Sequence, residues 1–312
     1  MNLADPVFIV GAQRCGTTYL CHALGQHPQI TVAQPLRPEP KFFLQESEVA
    51  KGRQYYLTKH FSHCAAGTFE NGTSPGVATS TTADTSGHSE MIPSTGAPAH
   101  VLVEKSTSYI ESADAARRIK GMFPGARILI SLRNPVERAL SNYFFSLNSG
   151  LETRRLKEAI LGTLPPPPLE FVTSVSPFDY VARGEYVTYL KAYFEVFGRE
   201  AVKIIIFDRF AGQMAAIQDL YQWIGVEKTF APRDVEIKIN TNNIECEIDD
   251  WEIDEEVLQY LSEYYRPHVV ELEKCLGGPL AEWHDRGLLP GRISSGIEKT
   301  GELKHEISHA QV

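Results

Sequence analysis

The segment Val7-Phe8-Ile9-Val10-Gly11, running into Ala12-Gln13-Arg14-Cys15-Gly16-Thr17-Thr18, limits how this chain folds more than any other. A short apolar run, rich in β-branched residues and ended by glycine, reads as a strand buried on both faces. From Thr17 onward Leu20, Ala23 and Leu24 recur at helical spacing. A strand, a glycine loop and a helix in that order turn backbone N–H groups and the positive end of a helix dipole toward one point, which favours a bound anion. Gly11 and Gly16 permit the tight turn and close backbone approach, and Ala12, Gln13 and Cys15 complete the loop. Arg14 adds a fixed charge, and the Thr17 and Thr18 hydroxyls add donors. A plain strand-to-helix turn with a capping threonine is the alternative; a loop arginine weighs against it.

Further apolar runs at Val101 to Val103, Ala126 to Leu132 and Val202 to Phe207 are separated by candidate helices. That pattern belongs to a parallel sheet covered on both faces. The expected fold is therefore α/β, a P-loop-containing three-layer fold with a mostly parallel central sheet flanked by helices. At 312 residues and 43% hydrophobic, the chain is long enough for one large domain, expected over residues 1–287. Between Ser62 and Ala99 the composition turns to Ser, Thr, Gly, Ala and Pro, which reads as a flexible insertion. The tail at 288–312 reads as disordered. Leu164-Pro165-Pro166-Pro167-Pro168 excludes helix and central strand and reads as an extended connector.

A net charge of -9 argues against general affinity for nucleic acid or anionic membrane, so an anionic ligand needs a local basic pocket. The acidic run from Glu245 to Glu256 reads as a solvated face. Five scattered cysteines without a CxxC pair point to reduced thiols rather than a disulfide framework or zinc site, and the histidines show no metal-ligand spacing. With no run of 18 apolar residues and no basic, apolar start, the expected location is cytoplasmic, without membrane insertion. The oligomeric state is not legible.

The loop departs from the GxxxxGK[ST] pattern of nucleoside triphosphatases, because no lysine follows Gly16. The run Ile128 to Leu132 also leads into Arg133 rather than a magnesium-holding aspartate. A nucleotide kinase or NTPase is thus the second reading, and a non-catalytic nucleotide-binding module the third.

Residues Ile9 to Thr18 resemble the phosphate loop of the sulfotransferase family. A second block, Ile128-Leu129-Ile130-Ser131-Leu132-Arg133-Asn134-Pro135-Val136-Glu137-Arg138-Ala139-Leu140-Ser141-Asn142-Tyr143, is similar to that family's 3′-phosphate motif. Pro135 suits a helix start, which puts Arg133 at the strand end and Ser141 two turns along the helix. The resemblance runs from Val7 to about Trp283, outside the insertion. It implies 3′-phosphoadenosine 5′-phosphosulfate as co-substrate, with the 3′-phosphate held by Arg133 and Ser141 and no metal. Arg138 reads as a helix-surface residue. Arg183-Gly184-Glu185-Tyr186 resembles a later family block, in which Tyr186 is either a nucleotide or acceptor contact or a core tyrosine.

Sulfuryl transfer needs an in-line acceptor, charge stabilisation on the leaving phosphate and a base for the acceptor proton. Arg14 stands where the family often has lysine; it keeps the charge but cannot donate a proton at ordinary pH. Glu39, in Pro38-Glu39-Pro40-Lys41-Phe42-Phe43 and preceded by His27-Pro28, resembles the base-bearing block of the glycan-acting and bacterial branches. A basic residue commonly precedes that glutamate; here Pro38 does, with Arg37 and Lys41 close by. Lys105, in Val103-Glu104-Lys105-Ser106-Thr107-Ser108-Tyr109, resembles a block whose lysine faces acceptor and sulfonate, although a solvated strand-end lysine fits as well. A histidine base is the alternative mechanism, with His100 as its candidate. The acceptor, a glycan, lipid or small hydroxyl- or amine-bearing metabolite, is not legible.

Overall fold

The computed structural model describes residues 5–62, 100–169, 174–233 and 255–285. Five strands, β1 (Val7–Gly11), β2 (Ile30–Val32), β3 (Val101–Lys105), β4 (Arg127–Leu132) and β5 (Val202–Ile206), form one sheet in the order β2-β3-β1-β4-β5. Every strand pair is parallel, with Ile9 opposite Lys105 and Leu129. The expected apolar runs became β1, β3, β4 and β5. Edge strand β2 went unforeseen: it is three residues long and only Ile30 of it is buried, so it carries no apolar run.

The connections are α1 (Thr17–Gly25), α2 (Glu46–Val49), α3 (Gly52–Phe61), α4 (Ala113–Met122), α5 (Pro135–Asn148), α6 (Leu156–Ile160), α7 (Tyr186–Phe197), α8 (Phe207–Phe210), α9 (Met214–Ile224), α10 (Glu255–Leu276) and α11 (Ala281–Asp285). Alternate strand residues point to opposite faces, and the core divides accordingly. Phe8, Val10, Leu102, Ile128, Ile130 and Ile206 pack with residues of α3, α4, α5, α7 and α10. Val7, Ile9, Val101, Val103, Leu129 and Ile205 pack with α1, α8 and α9. Helix, sheet and helix make the three layers that the sequence implied.

Local chemistry fixes the elements that carry the site. Asn134 caps α5, its side-chain oxygen accepting from the Val136 backbone N–H at 3.0 Å, and Pro135 fills the first turn. Gly16 caps α1 at φ 74, and a Cβ there would lie 2.0 Å from the Phe207 ring. Conformation and space both demand glycine. Residues 164–168 lie outside helix and strand, as their prolines require. The expected insertion at 62–99 falls, beyond Ser62, outside the described residues, as does the tail at 288–312.

Candidate active site

The phosphate loop is bound to the C-terminal end of the neighbouring strand. The Ala12 N–H donates to the Ser131 carbonyl at 2.8 Å, and the Ser131 hydroxyl donates to the Cys15 carbonyl at 2.5 Å. The Tyr186 hydroxyl, wholly within the core, donates to the Arg133 carbonyl at 2.7 Å and lies 3.5 Å from the Cys15 sulfur. Burial pushes the Cys15 thiol up, so it is a packing group rather than a nucleophile. On the other side, the Gln13 side-chain oxygen accepts from Arg183 Nη1 at 2.8 Å, and Arg183 Nε pairs with Glu111 at 3.0 Å.

Arg14 adopts φ 67, and its side chain reaches α5. Its Nε donates to Ser141 Oγ at 3.1 Å, and its guanidinium lies 4.6 Å over the Phe145 ring. Burial, then the charge of Arg133, lowers its pKa to about 10, with Arg138 and Arg37 acting in the same direction. It therefore stays charged at neutral pH. Arg133 Nε pairs with Glu137 at 2.8 Å. In a chain of net charge -9, Arg14, Arg133, Arg138 and Arg37 form a local concentration of positive charge beside a loop of backbone donors. Charge and donors arranged in this way favour an anion.

Glu39 and Lys105 meet across 66 residues of sequence: the Lys105 ammonium donates to Glu39 Oε1. The Thr107 N–H reaches Oε2 at 2.9 Å, and its hydroxyl reaches the same oxygen at 3.0 Å. Lys105 is 8% and Glu39 16% exposed, so this is a largely desolvated pair. It stands level with the phosphate loop, because Lys105 lies opposite Ile9 and the Ser106 N–H donates to the Ile9 carbonyl at 3.1 Å. A carboxylate, a lysine and a group of arginines thus share the C-terminal edge of a parallel sheet, where open α/β folds bind ligands.

A profile described as the sulfotransferase family matches residues 6–229, most of the chain. The chain belongs to the sulfotransferase family. The sulfotransferase of Alicyclobacillus acidocaldarius superposes with a TM-score of 0.60 at 25% identity, covering 90% of this chain and 100% of that one. The bifunctional heparan sulfate N-deacetylase/N-sulfotransferase 1 of Caenorhabditis briggsae is 25% identical over 226 residues, 70% of this chain and 22% of that protein. The membrane-associated sulfotransferase kil1 of Dictyostelium discoideum is 32% identical over 146 residues, 46% of this chain and 24% of that protein. The chain thus spans under a quarter of the length of these two curated relatives.

Within this sulfotransferase scaffold the sequence-predicted residues fall into three groups. The loop from Gly11 to Thr18 is joined to Ser141 through Arg14, with Arg133 at the end of the neighbouring strand and Glu39 and Lys105 beside the loop. Tyr186 lies in the core, with its hydroxyl committed to the loop and to Arg133. His100 precedes β3, so roughly 16 Å, at ~3.3 Å per residue, separates it from the Lys105 end. Arg138 requires correction: it is wholly buried rather than on the helix surface, donating to the Tyr180 carbonyl and to Asn142 Oδ1 at 3.4 Å.

Sequence reasoning passed over Ser131, Thr107, Arg183 and Glu104 as site components. Ser131 and Glu104 did leave a signal, each being a polar residue inside an apolar strand and each fully or almost fully buried. Among the described residues no group of three or more His, Cys, Asp or Glu side chains could hold a metal ion, and no helix is long and apolar enough to cross a membrane.

Proposed function

We propose that the chain transfers a sulfuryl group from 3′-phosphoadenosine 5′-phosphosulfate to a hydroxyl or amine of an acceptor, with residues 1–287 acting as one catalytic unit. The observation that carries this reading is the bond between Arg14 and Ser141, which ties the phosphate loop to the helix that begins just after Arg133. Two anion sites joined in this way suit a nucleotide phosphorylated at both its 3′ and 5′ ends. Gly11 to Thr18 would hold the 5′-phosphosulfate, and Arg133 with Ser141 the 3′-phosphate.

In the reaction, the acceptor oxygen or nitrogen attacks sulfur in line with the bond to the 5′-phosphate. The new bond to sulfur forms as the sulfur–oxygen bond to the phosphate breaks, and 3′-phosphoadenosine 5′-phosphate leaves. Glu39 takes the acceptor proton. Arg14 stabilises charge on the leaving phosphate, and its help is electrostatic because a guanidinium does not give up its proton. Lys105 supplies positive charge beside Glu39 and the sulfonate.

A heparan-type glycan bearing free amino groups is the first acceptor to test, since relatives carry heparan sulfate in their names; lipids and small metabolites follow. A cytoplasmic site of action remains part of the proposal. The binding test is thermal: 3′-phosphoadenosine 5′-phosphate at ~100 times its Kd should stabilise by about 2.7 kcal/mol, several degrees in Tm, and Arg133→Ala should abolish the shift. The catalytic test is transfer of labelled sulfate from the donor to that glycan, with the product identified by mass. A wild-type melting curve unmoved by the nucleotide overturns the reading, and magnesium-dependent stabilisation by ATP instead favours a kinase.

A further inference from the structure

The end of β3 and the residues after it, Glu104-Lys105-Ser106-Thr107, are polar throughout, and they act in two pairs. Lys105 and Thr107 hold the Glu39 carboxylate directly. Glu104 and Ser106 hold something else. Glu104 is wholly buried, level with Phe8 and inside the larger core. The Tyr56 hydroxyl from α3 donates to its Oε2 at 2.6 Å, and the Ser106 hydroxyl donates to its Oε1 at 2.7 Å.

The same Ser106 oxygen accepts the backbone N–H of Lys41 at 2.9 Å. Lys41 lies two residues beyond Glu39 and adopts φ 49, a left-handed conformation that a lysine keeps only when its surroundings impose it. Two residues further, the Phe43 N–H donates to the Tyr109 hydroxyl at 3.2 Å. The backbone that follows Glu39 is thus suspended from hydroxyls. A serine hydroxyl rotates freely unless its proton is claimed, and Glu104 claims the proton of Ser106, which turns an oxygen lone pair toward Lys41.

We infer that Glu104 is a positioning residue for the Glu39 segment: by orienting Ser106 it fixes the Lys41 turn and so the direction from which the Glu39 carboxylate meets the acceptor. This rests on the reading of Glu39 as the base. A carboxylate fully buried in an otherwise apolar strand, where an apolar residue would pack without a desolvation cost, is explained by that task. Tyr56 completes the arrangement by fixing the second carboxylate oxygen.

The test has an arm independent of catalysis. Ser106→Ala removes the link to Lys41 and leaves the Tyr56–Glu104 bond, so hydrogen exchange of a peptide covering residues 38–43 should quicken about tenfold or more, while residues 11–18 keep their protection. Ser106→Thr, which retains a hydroxyl, should restore it. With the labelled donor and the amino-bearing glycan, Ser106→Ala and Glu104→Leu should lower kcat about tenfold or more and leave the melting shift with 3′-phosphoadenosine 5′-phosphate intact. Unchanged exchange at 38–43 in Ser106→Ala overturns the inference, as does a loss of protection spread equally over 11–18; if Glu104→Leu fails to fold, Ser106→Ala alone decides. Wild-type kcat in Glu39→Gln would sink the base reading instead, and the exchange result would then stand apart from it.

Discussion

Arg14 Nε donates to Ser141 Oγ at 3.1 Å, joining positions 127 residues apart in the sequence. The bond makes the first loop and the α5 helix parts of one electropositive site. Loss of a hydrogen bond to a charged group costs about 1.5–3 kcal/mol, so Ser141→Ala should weaken binding of 3′-phosphoadenosine 5′-phosphate about 10- to 100-fold by calorimetry. Arg14→Met should cost more in kcat, on the order of 10²–10³, as for other groups that meet charge developing on a leaving atom. Arg14→Lys keeps the charge, loses the fork, and should fall between the two. Equal kcat in Arg14→Met and wild type would remove Arg14 from the leaving-group role.

Glu39 and Lys105 give a second prediction. Glu39→Gln preserves shape and keeps one acceptor oxygen for Lys105 or Thr107, but it has no base. Its kcat should drop on the order of 10²–10⁴ while the nucleotide-induced melting shift stays at the wild-type size. Lys105→Met acts differently, because it leaves a largely buried carboxylate without its partner; Tm itself should fall, by several degrees. Separate effects on rate and on stability distinguish the base from its counter-ion.

The fold and half of the site were legible for the same reason. β1, β3 and β4 lie inside the sheet and are almost wholly buried, and β5, although at an edge, is five residues with three buried, so all four appear as apolar runs, whereas β2, at the other edge, has three residues with Ile30 alone buried and leaves no run. Arg133 and Ser141 could be placed because one strand end and one helix carry them both. The meeting of Glu39 with Lys105 and Thr107 could not, since it depends on β3 lying beside β1, a fact of topology rather than of local pattern. Arg138 misled because a charged residue on an amphipathic helix usually faces solvent. Its burial depends on the carbonyl of Tyr180, supplied by a segment with no local signal of its own.

Gly16 offers a test of the loop that does not involve the ligand. Gly16→Ala meets two penalties, the left-handed conformation at φ 74 and a Cβ 2.0 Å from the Phe207 ring. Gly52 is a matched control at φ 83 with nothing within 4 Å of the added carbon. Gly52→Ala should cost about 1–2 kcal/mol, and Gly16→Ala several kcal/mol, with part of the excess returned in Gly16→Ala combined with Phe207→Leu. Equal melting temperatures for the two single variants would show that the loop yields to Phe207 without strain.

Glu104 predicts how stability changes with pH. Burial raises its carboxyl from the ordinary 4.5 to about 7, and hydroxyls of Tyr56, Ser106 and Tyr109 pull against that rise. The folded state therefore holds the proton more tightly than the unfolded chain does. The resulting stabilisation is fully present below about pH 4.5 and is lost as pH rises through about 7, by about 3 kcal/mol over that window. The glutamine variant titrates nothing there, so denaturant melts at pH 5 and pH 8 should show wild type losing about 2.5 kcal/mol relative to Glu104→Gln on going up. Above pH 7 the difference should level off, because the carboxyl is then ionised in both states. A wild-type-minus-variant difference that stays flat from pH 5 to 8 would mean that Glu104 titrates as an ordinary carboxyl.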